Sequence, residues 1–254
     1  MKEFSRIAIF LTVLLGACPI MAQQADFDRA NELLTDSRYR DALELYKELE
    51  KEGHESGALW LNMGISYSQL DSLGMSKYYF LRALEYPETK YRAEEALDYV
   101  NNRFSYQSAV LPQLPWNRIM ESLRHSPGVT NLAYLSLFFL YLGTLIMIFS
   151  WFRKRRSKVL TYGKIVSYLL AFLILSLAAL IHYQDSRYGT GVVITRQGQV
   201  FQNPDESSAA VSTAHEGYLL RVDYKESSEQ EEWLSIRLEN GMYGWIREHN
   251  VKDF

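Results

Sequence analysis

The sequence predicts a multidomain membrane protein of three parts: an all-α helical repeat, a two-helix transmembrane hairpin and a small all-β barrel. Three observations carry that expectation. Apolar and small residues between Asp26 and Glu85 recur at an offset of 34 residues. Two uncharged runs, Val129–Phe152 and Ile165–Ile181, flank a stretch dense in arginine and lysine. After Gly191 the apolar residues shift to short runs separated by polar segments, the pattern of strands. A chain of 254 residues has room for one or two soluble domains beside such a hairpin.

The chain begins with a secretory leader, residues 1–22. Lys2 and Arg6 form its charged start, Ile7–Leu15 its apolar core, and Ile20-Met21-Ala22 a small-residue cleavage site. A second reading stands beside it: Leu15-Gly16-Ala17-Cys18 resembles a bacterial lipobox, which makes Cys18 a lipidation site. Cys18 is the single cysteine, so neither an internal disulfide framework nor a cysteine zinc site is available. The net charge of −3 hides a partition. Without the charged leader residues and the six basic residues of the hairpin turn, 19 bases face 29 acids, about −10. Acidic flanks disfavour binding to nucleic-acid backbones and to an anionic bilayer surface.

Within the repeat, Ala30 aligns with Gly64, Leu33 with Tyr67, Ala42 with Ser76, Tyr46 with Phe80 and Leu49 with Ala83. The second copy also carries Trp60 and Pro87. This register resembles the tetratricopeptide (TPR) helix-turn-helix unit, whose period is 34 residues. The small pairs Ala30/Gly64 and Ala42/Ser76 belong where two helices cross closely, and Tyr46 and Phe80 fill the gap to the next unit. Solenoids need a polar terminal cap. Ala93, Ala96, Leu97, Val100 and Phe104 recur at helical spacing with Glu94, Glu95 and Asp98 opposite, so the repeat region runs 26–104. By the same resemblance a groove is lined by Phe27, Asn31 and Leu34, then Leu61, Asn62, Ile65 and Gln69. Asn31 and Asn62 match two positions of a carboxylate clamp, but the lysine that goes with it near Phe27 is missing. A generic peptide groove and plain helix packing by the asparagines are the other readings.

Residues 105–128 are a linker, with Pro112, Pro115 and Pro127 as helix breakers. Trp116, Ile119, Met120 and Leu123 form an apolar stripe on a short helix, suited to the membrane interface or to contact with the cap. Residues 129–152 follow as the first span, long enough for the roughly 20 residues a bilayer requires. The turn, 153–164, holds Arg153, Lys154, Arg155, Arg156, Lys158 and Lys164 and no acid. Short loops rich in lysine and arginine stay cytoplasmic, which places both chain ends on the far side. The second span is 165–183. Ser136, Gly143 and Ser150 in the first, and Ser167, Ala171 and Ala178 in the second, are small faces for close helix packing. Neither uncharged run contains an ionisable group of the kind that ion and proton pathways use.

In residues 191–254 the expected strands are Val192-Val193-Ile194, Val200-Phe201, Leu219–Val222, Trp233–Leu238 and Tyr243–Ile246, with Asn240-Gly241 as a tight hairpin turn. Trp233, Ser235 and Arg237 alternate with Leu234, Ile236 and Leu238 as in a half-buried strand. Pro204-Asp205-Glu206 and Glu226–Glu232 are expected loops. Glu216-Gly217, Trp233-x-x-Ile236 and Asn240-Gly241-x-x-Gly244-Trp245-Ile246 resemble bacterial SH3-like domains. Trp233, Tyr243 and Trp245 then either line a peptide groove or form core.

No residue pattern for catalysis stands out. His54, His125, His182, His215 and His249 are scattered, and phosphate loops, HExxH and GxSxG are missing. The expectation is a non-enzymatic protein without cofactor or metal. The order of leader, repeat pair, Pro-Trp linker, basic-turned hairpin and SH3-like region resembles the BatE proteins of the bacterial aerotolerance operon along the whole mature chain. That resemblance implies an inner-membrane, multi-pass scaffold or adaptor with both soluble domains periplasmic. Its partners would be von Willebrand A-domain Bat proteins and, through them, a MoxR-type AAA+ ATPase. The alternative is a cell-wall tether or sensor that binds peptidoglycan through the SH3-like domain.

Overall fold

The computed structural model describes residues 24–106, 119, 122–123, 128–152 and 157–254. The leader with Cys18, Trp116 and Met120 of the linker stripe, and Arg153-Lys154-Arg155-Arg156 lie outside the described residues. These divide into two compact units. One joins residues 24–106 with Thr190–Val222 and Glu226–Phe254; the other joins the residues from 119 to Gly189 with Asp223–Lys225.

In the first unit the helices are α1 (24–35), α2 (Tyr39–Lys51), α3 (Gly57–Gln69), α4 (Leu73–Ala83) and α5 (Lys90–Asn101). The 34-residue offset extends from side chains to backbone, since α2 starts at Tyr39 and α4 at Leu73. The preceding turns match. Ser37 (φ 62°) and Asp71 (φ 59°) both take the left-handed conformation. In each turn the next amide reaches back five residues, Arg38 N to Leu33 O at 2.8 Å and Ser72 N to Tyr67 O at 3.0 Å. This satisfies helix-end carbonyls that would otherwise be orphaned.

The small residues sit in tight contacts. Ala30 and Ala42 are fully buried, and the Ser76 hydroxyl donates to Gly64 O at 2.8 Å. A Cβ on Gly64 would lie 2.5 Å from the Phe80 ring, so only glycine lets that ring pack against α3. Tyr46, Phe80 and Ala83 are buried as well, and Trp60, Tyr67 and Tyr79 stack in series. On α5, Ala93, Leu97 and Val100 are buried while Glu94, Glu95 and Asp98 are exposed.

The second part of this unit is an antiparallel sheet: β1 (Tyr188–Val193), β2 (Gln197–Phe201), β3 (Ala210–His215), β4 (Leu219–Asp223), β5 (Trp233–Leu238), β6 (Tyr243–Arg247) and β7 (Val251–Asp253). Two of these strands, β3 and β7, go beyond the expected five. The order is β3-β2-β6-β5-β4-β1-β7, which leaves β3 and β7 as edges instead of a closed barrel. The β5–β6 hairpin turns through Glu239-Asn240-Gly241, with Gly241 at φ 87° and Leu238 N bonded to Met242 O. Strand β5 departs from clean alternation, because Trp233 and Ser235 are buried together with Ile236 and Leu238. At Ser235 the cause is a short helix inserted before the strand, α8 (Tyr224–Ser227), which runs into the start of the expected loop. Ser227 Oγ accepts the Ser235 amide, and the Ser235 hydroxyl donates to Glu226 at 2.7 Å.

The second unit holds α6 (Val129–Phe152) and α7 (Lys158–Arg187), both long and apolar enough to cross a membrane. α7 is longer than its uncharged run at both ends, taking in Lys158–Lys164. The small faces meet: Ser136 Oγ donates to Ala171 O at 2.9 Å and Ser167 Oγ to Phe139 O at 2.6 Å. Gly143 lies under the Tyr168 ring, where a Cβ would sit 3.0 Å from a ring carbon. Most other side chains of the pair are exposed and apolar. Ile119 of the linker stripe is exposed, and Leu123 packs against Leu132, Ala178 and Ile181.

Candidate functional site

The predicted groove residues divide into two groups. On α1, Phe27 packs its ring against Tyr46, with centroids 6.0 Å apart. Asn31 Oδ1 accepts from the Tyr46 hydroxyl at 2.7 Å and from Asn62 Nδ2 at 2.8 Å. The two asparagines therefore hold each other and Tyr46, with Asn31 as the shared acceptor between α1, α2 and α3. Burial pushes the Tyr46 pKa up to about 12, with the Asn62 amide working against the shift. Leu34 is half-buried against the same core.

Leu61, Ile65 and Gln69 belong to a different feature, a cleft of about 320 Å³ between α3 and α5. Leu61 and Phe80 are buried at its floor, and Arg92, Glu95 and the exposed Tyr99 form its α5 side. The α5 side was not among the expected lining residues. Its polar positions read as solvated surface because nothing in the sequence shows that the α5 cap turns that edge toward α3.

Trp60 is buried beneath Arg82, whose guanidinium lies 3.8 Å from the ring centroid. Arg82 also pairs with Glu50 at 3.4 Å and with Glu55 at 3.0 Å. Tyr79 donates to Glu50 at 2.8 Å, and burial with that nearby negative charge holds its phenol well above the ordinary value. This network ties α2, α3 and α4 together and leaves Trp60, Tyr67 and Tyr79 no face open to a ligand.

The three sheet aromatics have separate fates. Trp233 is buried, packed edge-on to Phe201 and covered by the Arg247 guanidinium at 4.4 Å. Arg247 is held in turn by Glu206 at 2.9 Å and Glu232 at 2.7 Å. Tyr243 is exposed with Arg237 over its ring, and Trp245 is half-buried. Trp233 is thus core, while Tyr243 and Trp245 keep part of their surface.

The feature that sequence reasoning missed is the junction of helices and sheet within the first unit. The Glu216 carboxylate accepts the Gly74 amide at 2.7 Å, across 142 residues of sequence. Lys77 Nζ donates to Gly217 O at 2.7 Å. Gly74 is buried where a Cβ would lie 2.7 Å from Val193 O, and Gly217 is left-handed (φ 82°) with the Phe104 ring over it. Tyr78 meets Phe254 edge-on, Tyr106 stacks on His215, and Val192 of β1 joins the buried cluster of the helices. Burial lowers the Lys77 pKa and raises that of Glu239, while their mutual attraction opposes both shifts. The one sequence signal was the Glu216-Gly217 pair, which was read only for its resemblance to SH3-like domains and gave no sign of its partner.

Among the described residues no cluster of three or more histidine, cysteine or acidic side chains is arranged to hold a metal. Compared with known proteins, the chain matches no family model and no curated sequence.

Proposed function

We propose that the chain is a non-catalytic, membrane-anchored adaptor. Its TPR-type repeat and SH3-like sheet form one recognition module on the periplasmic side of a bacterial inner membrane. α6 and α7 are the anchor, and the basic residues around Lys158 are its cytoplasmic turn. The observation that carries this reading is the junction: residues 24–106 pack as one unit with Thr190–Val222 and Glu226–Phe254 through Gly74–Glu216 and Lys77–Gly217. Parts of a chain that pack together share a compartment. The two apolar helices between them therefore cross the bilayer as an even pair, and lysine and arginine at the turn favour the cytoplasm for it.

Confinement to one membrane face raises the module's effective concentration toward neighbouring anchored proteins, so weak contacts suffice for assembly. On the resemblance of the whole chain to BatE proteins, those neighbours are von Willebrand A-domain Bat proteins, with a MoxR-type ATPase reached through them. Crosslinking of the full-length protein in native membranes, followed by identification of the adducts, tests the reading. A-domain membrane proteins are the expected adducts. Recovery of peptidoglycan fragments without protein adducts would overturn it in favour of a wall tether.

A further inference from the structure

One side of α6 packs on α7 through Ser136 and Gly143, and the opposite side is bare. On it, Tyr134, Phe138, Tyr141 and Leu145 are 59–65% exposed, more than any other large apolar side chain from Leu132 to Phe149. With Ile148 and Phe152 they recur at intervals of 4, 3, 4, 3 and 4 residues. That alternation is the heptad spacing of a left-handed helix pair. We propose that this stripe packs against the α6 of a second copy of the chain, in parallel, with the two Tyr141 hydroxyls bonded to each other.

Tyr141 separates a protein cover from a lipid one. It stands 12 residues from Val129 and 11 from Phe152, roughly 16–18 Å from either end of the helix at about 1.5 Å per residue. Its hydroxyl therefore sits at the middle of the span, out of reach of both headgroup layers. The other α6 hydroxyls between Ser136 and Ser150 are bonded: Ser136 donates to Ala171 O, Thr144 to Leu140 O and Ser150 to Met147 O. On α7, the Tyr168 hydroxyl lies 3.4 Å from Thr144 Oγ1. The Tyr141 hydroxyl has no partner among the described residues. A serine can bond the backbone of its own helix, whereas a tyrosine holds its hydroxyl a ring away. Hydrocarbon offers no hydrogen bond, so another helix must supply one.

The second copy fits that need. Copies of one chain insert the same way round, so their α6 helices run parallel. A two-fold axis between them brings equal numbers face to face, and Tyr141 meets Tyr141. A phenol both donates and accepts, so the two complete each other. The stripe carries no charge, and self-pairing brings no like charges together. Its six side chains offer up to roughly 700 Å² per copy, at about 200 Å² for each large side chain. Two copies come within the about 1,200–2,000 Å² of stable protein interfaces. The inference rests on α6 crossing the bilayer, as proposed above, and not on the A-domain partners.

The test uses the full chain in native membranes and in liposomes. In a Cys18→Ser background, Phe138→Cys and Leu145→Cys are expected to form disulfide-linked dimers under copper-phenanthroline. Leu137→Cys and Leu140→Cys, on other sides of α6, are expected to stay monomeric. In liposomes, energy transfer between copies labelled at Glu229→Cys reads association. Tyr141→Phe is expected to weaken it about threefold to tenfold, and Tyr162→Phe to leave it unchanged. Equal crosslinking at all four positions, absence of energy transfer, or full association of Tyr141→Phe would overturn the assignment. Crosslinks from Phe138→Cys to a different protein would overturn it in favour of a foreign helix. Release of the chain by alkaline carbonate would sink the anchor reading together with this one. A chain that stays in the membrane as a monomer would sink this one alone.

Discussion

At the scale of single residues, Tyr46 shows how a buried polar atom becomes a measurable stability term. Its hydroxyl donates to Asn31 Oδ1 from a fully buried position, and burial moves its pKa up to about 12. An unfolded tyrosine ionises near pH 10. Between those values the unfolded chain loses the phenolic proton first, so it binds fewer protons than the folded chain and stability falls as pH rises. The contribution is whole below about pH 10 and gone above about pH 12, with a limiting slope of about 1.4 kcal/mol per pH unit. Tyr46→Phe removes the hydrogen bond and with it about 1 kcal/mol at pH 9. It also removes the titration, so its deficit against the parent chain is expected to shrink above about pH 10 and to reverse before about pH 12. Other shifted tyrosines such as Tyr79 are common to both proteins and cancel. Urea unfolding at about pH 9 and about pH 11.5 reads the difference. A deficit that stays constant would mean that the folded state does not hold the proton.

At the scale of elements, α4 begins without help from its own sequence. Ser72 stands at its N-cap but its side chain makes no capping bond, and the Gly74 amide is taken by Glu216 from the turn after β3. Glu216→Ala is therefore expected to cost about 1–2 kcal/mol, the worth of a lost cap plus a carboxylate at a helix N-terminus. Glu216→Gln should recover part of this through its amide oxygen. Hydrogen exchange at Gly74 is the specific reading: faster exchange in the alanine variant is expected, and unchanged exchange would show that α4 starts on its own. The same element shows what was legible in the sequence. The α-helices of the repeat could be placed because small and aromatic residues recur at one offset, and the left-handed turns at Ser37 and Asp71 follow the same offset. The apolar helices could be placed from length alone. β3 was not legible, because Ala210-Val211-Ser212-Thr213-Ala214-His215 has little apolar alternation and its outer face is exposed. The junction was not legible either. Its contacts join residues 140 and 142 positions apart, and no local pattern records such a pairing. The bond from Asn62 to Asn31 is of the same kind: it joins residues 31 positions apart, and the sequence left a clamp, a peptide groove and plain helix packing open for the pair.

At the scale of the whole molecule, the junction imposes a condition on the path of the chain. Residues 24–106 share one packed unit with Thr190–Val222 and Glu226–Phe254, and Val192 is buried among helical side chains. The intervening chain carries two helices that are each able to cross a bilayer. A single crossing would place Glu216 and Gly74 in different compartments and leave the Gly74 amide without its carboxylate and Lys77 without its carbonyl. Two crossings, or none, leave every junction contact intact. The prediction is a pattern of chemical labelling. In a Cys18→Ser background, Glu88→Cys and Glu229→Cys lie at exposed positions of the helical part and the sheet part. Both are expected to react with a membrane-impermeant maleimide in intact spheroplasts. Arg155→Cys, within the basic stretch, is expected to react only after permeabilisation, because short lysine- and arginine-rich loops remain inside. Reaction at one of the first two positions without the other would contradict the docked unit itself. Protection of both, with Arg155→Cys reactive, would preserve the unit but reverse its side of the membrane.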